Sequence, residues 1–171
     1  MDTGRDTLTG RLHAAVAFVS AWLVLTSPWI AMYRRMPDDA DFLNTSHVLL
    51  GFAALVVAAP YLLSCVRAGR WRLYFPWMAG QGGGALRDLA GLCRGRIPSS
   101  EGGGLFAVIE GFALLLLLVT AASGAAWFFT QTSGDALAWR SIHVVSARTF
   151  VFLAVTHVIT VSLHLLELVR D

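Results

Sequence analysis

Four long apolar runs constrain this chain more than any other feature: roughly Leu12–Met32, His47–Val66, Leu105–Phe129 and Ile142–Val169. Each reaches the ~20 residues that a helix needs to cross the hydrocarbon of a bilayer. A chain inside lipid must satisfy its backbone internally, as a helix or as a closed barrel. Barrel strands alternate apolar and polar residues over ~10 positions, and Phe112-Ala-Leu-Leu-Leu-Leu-Leu-Val119 does not alternate. The expected fold is an all-α integral membrane four-helix bundle. It is read as one domain over residues 1–171, with helices near 8–32, 45–67, 104–129 and 140–169 and a connection over 68–103. Composition agrees: 56% of residues are hydrophobic and 14% charged, where soluble domains carry about a quarter charged. A net charge of +2 gives no support to nucleic-acid binding. The first run is long, and no small-x-small cleavage site follows Trp29, so it reads as a span and not as a signal peptide.

The charges between the runs set an orientation. The N-terminal tail, the connection Arg67–Gly104 and the C-terminus carry Arg5, Arg11, Arg67, Arg70, Arg72, Arg87, Arg94, Arg96 and Arg170. The opposite loops carry Arg34, Arg35 and Arg140. Basic loops stay in the cytoplasm, so both termini are expected there, in a bacterial inner membrane. All 13 basic residues are Arg, in keeping with a high-GC bacterial source. Met36-Pro-Asp-Asp-Ala-Asp41 reads as a short solvated outer turn. Gly82-Gly-Gly84 and Gly102-Gly-Gly104 lack a following Lys-Ser/Thr, so they read as flexible loop and not as a phosphate cradle. Trp29, Trp127 and Trp139 fit an outer aromatic belt; Trp71 and Trp77 fit an inner one. Cys65 and Cys93 form no CxxC or CxxCH, which argues against a disulfide framework, a zinc site and a covalent haem.

The five histidines, His13, His47, His143, His157 and His164, all lie in or at the ends of the apolar runs. Ionisable groups there are costly and face the bundle interior. A lone histidine would read as a hydrogen-bonded interior residue; five with regular spacing supply a test. His143 and His157, 14 residues apart in sequence, lie about 40° apart around a helix and about 21 Å apart along it. The orientation then sorts four histidines by depth: His13 with His157 on the inner side, His47 with His143 on the outer. Neutral imidazoles suit iron, and facing helices of a bundle can clamp a cofactor between them. Two such pairs imply two stacked, non-covalent b-type haems. Zinc fits less well, because two ligands per level fall short of its usual four. For the inner pair to lie level, the first helix must begin before Leu12 and the fourth must run past Ser162. Ala14, Ala17, Gly51 and Ala154 are small enough to admit a macrocycle, and equally suit close helix packing.

With Arg11-Leu-His13 opening the first helix, His47-Val-Leu-Leu-Gly51 the second, and His143-x13-His157-x6-His164 in the fourth, the chain resembles a bacterial cytochrome b561. It also resembles the wider group that includes the b-type cytochrome subunits of nickel–iron hydrogenases and formate dehydrogenases. The resemblance covers nearly the whole chain. It implies His13 and His157 as ligands of a cytoplasmic haem, and His47 and His143 as ligands of a periplasmic one. It further implies electron transfer between a quinone and a second redox partner. Many members carry an Arg within the second helix; here that stretch reads Ala59-Pro-Tyr61. Phe75-Pro-Trp77, Leu86-Arg-Asp-Leu89, Arg96-Ile-Pro98 and Gly124 are closer to the hydrogenase and formate-dehydrogenase subunits.

His164 follows His157 by seven residues, about 20° round and 10.5 Å further inward. It is expected to serve a propionate, a quinone carbonyl or a proton relay. Arg148 lies about 140° around the helix from His143 and is paired in this reading with a haem propionate. Arg34, Arg35 and Arg140 are further outer cations. Glu110 reads either as an inner proton acceptor or as a snorkelling interfacial acid. No nucleophile–base pair stands out, so any turnover would be redox chemistry at a haem edge. Expected partners are membrane lipid and a quinone, with a catalytic redox subunit, a periplasmic electron carrier or a second copy of the chain left open. A membrane-anchor subunit of a larger dehydrogenase or reductase complex, and a haem-free structural or transport protein, stay open as alternatives.

Overall fold

The computed structural model describes residues 3–95 and 104–170, with side chains over 7–95 and 104–162. The described residues are all-α: α1 (Thr3–Thr26), α2 (Phe42–Arg67), the single turn α3 (Trp71–Tyr74), α4 (Gly83–Leu92), α5 (Leu105–Phe129) and α6 (Ala136–Arg170). Four stretches are long and apolar enough to cross a membrane: Thr7–Trp29, Phe42–Arg67, Leu105–Phe129 and Ala136–Ser162. Large apolar side chains such as Phe18, Val56, Phe129 and Phe152 stand exposed on these helices. In water such a surface would be an association patch; around membrane spans it is the face that lipid covers. α1 begins well before Leu12 and α6 continues past Ser162 to Arg170.

Local chemistry explains the helix ends. Pro28 lacks the N–H that Val24 O would accept. A short 3-10 turn, Ser27–Trp29, follows α1, and the Ser27 hydroxyl donates to Val24 O at 2.9 Å instead. Asp41 caps α2, its Oδ1 accepting the Asn44 N–H at 2.8 Å and the Asn44 amide at 2.9 Å. Asn44 Oδ1 in turn takes the Ala31 N–H, so the turn between α1 and α2 is tied to the start of α2. α2 stops at Gly69, whose φ of 74° is left-handed. Arg70 N–H then reaches Cys65 O and Gly69 N–H reaches Val66 O, closing the last turn.

Two compact units make up the chain: residues 1–64 with 116–149, and residues 65–115 with 150–171. The first unit takes a piece of all four long helices and forms a bundle. Phe52 on α2 packs against Phe128 and Phe129 on α5, and Trp22 on α1 meets Phe42 at the start of α2. Its buried positions are largely small, among them Ala54, Ala58, Ala121, Ser123 and Ser146. Small residues let apolar helices approach closely where lipid provides no hydrophobic drive. Trp127 departs from the expected outer belt: it is buried, and its Nε1–H donates to Tyr33 O at 3.2 Å.

The second unit holds α3, a 3-10 turn over Pro76–Ala79, α4, the first part of α5 and the later part of α6. Here one expectation fails. Gly83 and Gly84 are not flexible loop but the first turn of α4. The Leu86, Leu89 and Leu92 spacing behind them is helical and outweighs the glycine penalty of roughly 1 kcal/mol per residue. Of the second glycine run, Gly102 and Gly103 lie outside the described residues.

Candidate functional site

α2 and α6 bring His47 and His143 together in the first unit. Their ring centroids are 6.2 Å apart and their planes are 84° to one another. Both rings are half-buried. A metal–imidazole bond measures about 2.0–2.1 Å and the ring centre lies roughly 1.2 Å behind the ligating atom, so two imidazoles on opposite sides of one ion have centroids roughly 6.5 Å apart. The observed spacing is close to that value.

His143 is held by the main chain of α5. Its Nδ1 lies 2.8 Å from Thr120 O. A carbonyl only accepts, so Nδ1 carries the proton, and Nε2 keeps its lone pair for a metal. Gly124 makes this approach feasible. A Cβ there would sit 2.9 Å from His143 Nδ1 and 3.1 Å from Cε1, inside any ordinary contact distance. Gly124 is one helical turn beyond Thr120, so the missing side chain opens the path to that carbonyl. His47 has no such support: its Nδ1 is buried with no hydrogen-bond partner among the described residues. One turn after His47, a Cβ added at Gly51 would meet no atom within 4 Å. Spacing, fixed tautomer and glycine cradle all fit an imidazole-ligated metal group at this level.

His13 is also placed in the first unit. Its Nδ1 lies 2.9 Å from the hydroxyl of Tyr61, which is buried on α2. Tyr61 stands in the stretch where the resemblance leads one to look for an arginine, and supplies the histidine with a neutral partner instead. His157 belongs to the second unit, and its Nδ1 is buried without a partner among the described residues. His164 lies on α6, and its side chain is outside the described residues.

Among the expected cations, Arg140 is the one with a defined place. Its Nε–H donates to Met32 O at 3.2 Å and its guanidinium lies 4.8 Å from the centre of the Tyr33 ring. Arg148 is exposed on α6, and Arg34 and Arg35 are exposed in the turn between α1 and α2. Glu110 is half-buried, and it accepts a hydrogen bond from the Tyr74 hydroxyl at 3.1 Å. Cys65 Sγ lies 3.6 Å from the same hydroxyl. Among the described residues, no three His, Cys, Asp or Glu side chains gather as a metal-binding group. The residues whose roles sequence reasoning missed are Thr120, which acts through its main-chain carbonyl, and Tyr61. The first leaves no trace in sequence; the second was visible as a polar aromatic within an apolar run.

No protein-family model, curated protein or solved structure matches the chain.

Proposed function

We propose that this chain is a membrane-embedded b-type cytochrome, similar to bacterial cytochrome b561, that carries electrons between a quinone and a second redox partner. The observation that carries the reading is the His47–His143 pair at 6.2 Å, with His143 Nδ1 fixed on Thr120 O. His47 and His143 would be the protein's ligands to a haem iron, whereas zinc would need four. Haem supplies reversible one-electron chemistry when bound. The chain's own residues do the rest. Thr120 O holds the proton on Nδ1 of His143, which keeps Nε2 as the ligand and raises its basicity. Gly124 lets the ring stand at that distance. Tyr61 orients His13, and the order of the histidines in the sequence pairs His13 with His157 as the ligands of a second haem. Arg140 and Arg148 are the cations on α6 that would balance propionates.

The distribution of arginines supports a bacterial inner membrane with both termini in the cytoplasm. A quinone would meet the chain on the cytoplasmic side, where His164, Arg67 and Arg70 are to be found, and a redox subunit or periplasmic carrier on the other. The absorption spectrum of the purified chain tests this reading. It should show reduced bis-imidazole b-type bands, two haems per polypeptide, and loss of all colour into acid acetone. A colourless preparation from haem-replete cells would overturn it.

A further inference from the structure

The connection between the second and third spans is the part of the chain that the proposed function leaves unused. It packs along α5 instead of standing away from it. Trp77 stacks on Phe112, with centroids 5.5 Å apart and planes at 22°, and Phe75 meets the same ring at 5.9 Å. Tyr74 lies so close to Gly111 that a Cβ on that glycine would fall 2.6 Å from Tyr74 Cβ. Phe112 is seven residues into α5, about 10 Å along the axis from Leu105. A 25-residue span such as Leu105–Phe129 is roughly 37 Å long, against about 30 Å of hydrocarbon. Centred in the hydrocarbon, such a span would put Leu105 at the headgroup level and Phe112 inside the hydrocarbon. The turn that carries Trp77 would then reach the hydrocarbon edge. Backbone at that depth must bond to itself, and it does: Met78 N–H reaches Phe75 O, Gly80 N–H reaches Trp77 O and Gln81 N–H reaches Pro76 O.

From there the chain returns to the headgroup level in α4. Asp88 Oδ2 accepts the N–H of Leu105 at 2.8 Å, so α4 is tied by its polar side to the first residue of the span. Its other side is apolar and exposed. Leu86, Leu89, Ala90 and Cys93 fall within an arc of about 100°, with Asp88 about 150° from its centre. Leu86 is 68% exposed and Leu89 52%. Arg87 and Arg94 lie along one edge of the arc and are also exposed. A helix with an outward apolar face, an inward acid and arginines along one edge has the design of one that lies in the membrane surface.

We infer that residues 71–93 form an interfacial cap whose apolar side, Trp77, Met78, Leu86, Leu89 and Cys93, is seated in the acyl-chain boundary of anionic phospholipid, with Arg72, Arg87 and Arg94 at the phosphates. Charge selects the partner: over residues 70–94 four arginines, Arg70, Arg72, Arg87 and Arg94, stand against one acid, Asp88, and guanidinium binds phosphate oxygens in pairs. The tie to Leu105 keeps the apolar face at bilayer height, where lipid is its neighbour. The inference rests on the four spans and is independent of any haem.

The chain's own cysteines provide the test. Cys65 is fully buried and Cys93 is exposed, so a nitroxide reagent labels the native protein at Cys93. Leu86→Cys, Leu89→Cys and Arg87→Cys in a Cys93→Ser background extend the series. Each protein is placed in phosphatidylcholine–phosphatidylglycerol vesicles, and label collisions with oxygen and with a water-soluble nickel chelate are compared. Oxygen should dominate at 86, 89 and 93, and the chelate at 87. Dominance of the chelate at all four positions would overturn the inference, because the segment would then stand in water. Protection of 86, 89 and 93 from both reagents would overturn it equally, because a protein surface would then cover the face. The native Cys93 label gives the answer even if a variant fails to fold.

Discussion

The first unit holds two histidines by opposite means. His143 is fixed by a main-chain carbonyl, reached through a gap that Gly124 leaves in α5. His13 is fixed by a side chain, the Tyr61 hydroxyl. Both arrangements engage Nδ1, and the carbonyl, which can only accept, also fixes the proton there in His143; the two respond differently to mutation. A carbonyl cannot be removed by substitution, only obstructed. A tyrosine hydroxyl can be deleted with little change of shape. The difference separates a position protected by backbone from one that stays tunable through a single residue.

The largest expected effect breaks the tunable side outright. His13→Ala should remove one haem of two, and His157→Ala the same one, read as a halved haem-to-protein ratio with identical residual spectra. Different residual spectra would mean that these two residues do not share a level.

Obstruction of the protected side comes next. Gly124→Ala places a methyl group where His143 Nδ1 and Cε1 now lie. Overpacking of this kind costs about 1–3 kcal/mol, and here the ring has to leave Thr120 O. The variant should have a lower unfolding temperature and deplete the haem held by His143, while the haem on His13 stays. Gly10→Ala is the matching control. It is exposed on α1 and a Cβ there meets nothing within 4 Å, so a gain of about 0.5–1 kcal/mol is expected.

Tyr61→Phe sharpens the comparison at a smaller scale. It keeps the ring and removes the hydroxyl, so both haems should load, with roughly 10- to 100-fold weaker retention at the His13 site. A haem-transfer assay against an apo-globin acceptor would measure it. The smallest effect is expected at Thr120 itself. Its hydroxyl is buried without a partner among the described residues, so Thr120→Val should leave haem content unchanged and stabilise by about 1 kcal/mol. Loss of haem in Thr120→Val would show that the side chain, and not the carbonyl, positions His143.

The contrast also shows what a sequence discloses. The spans were legible because length and apolarity belong to composition, and the Pro28 and Gly69 helix ends follow from single residues. The His47–His143 juxtaposition was legible from the order of the spans and the orientation that the arginines suggest. The acceptor of His143 was not, because a main-chain carbonyl looks the same at every position. Gly124 was visible as a glycine, but its purpose appears only once α6 is placed beside α5. α4 was hidden by the glycine run at its start, and the tie from Asp88 to Leu105 has no local signal. The role of Tyr61 was half-visible: a phenol deep in an apolar helix needs a partner, but which histidine it would meet depends on how α1 packs.

The central claim is that His47 and His143 hold one group between them. Haem content and low-spin signals of His47→Ala, His143→Ala and the double variant test it most directly. The account predicts that each single variant loses the same haem, leaves the same residual spectrum, and that the double variant loses no more than either. Two single variants that lose different haems, with a double variant that retains none, would contradict it.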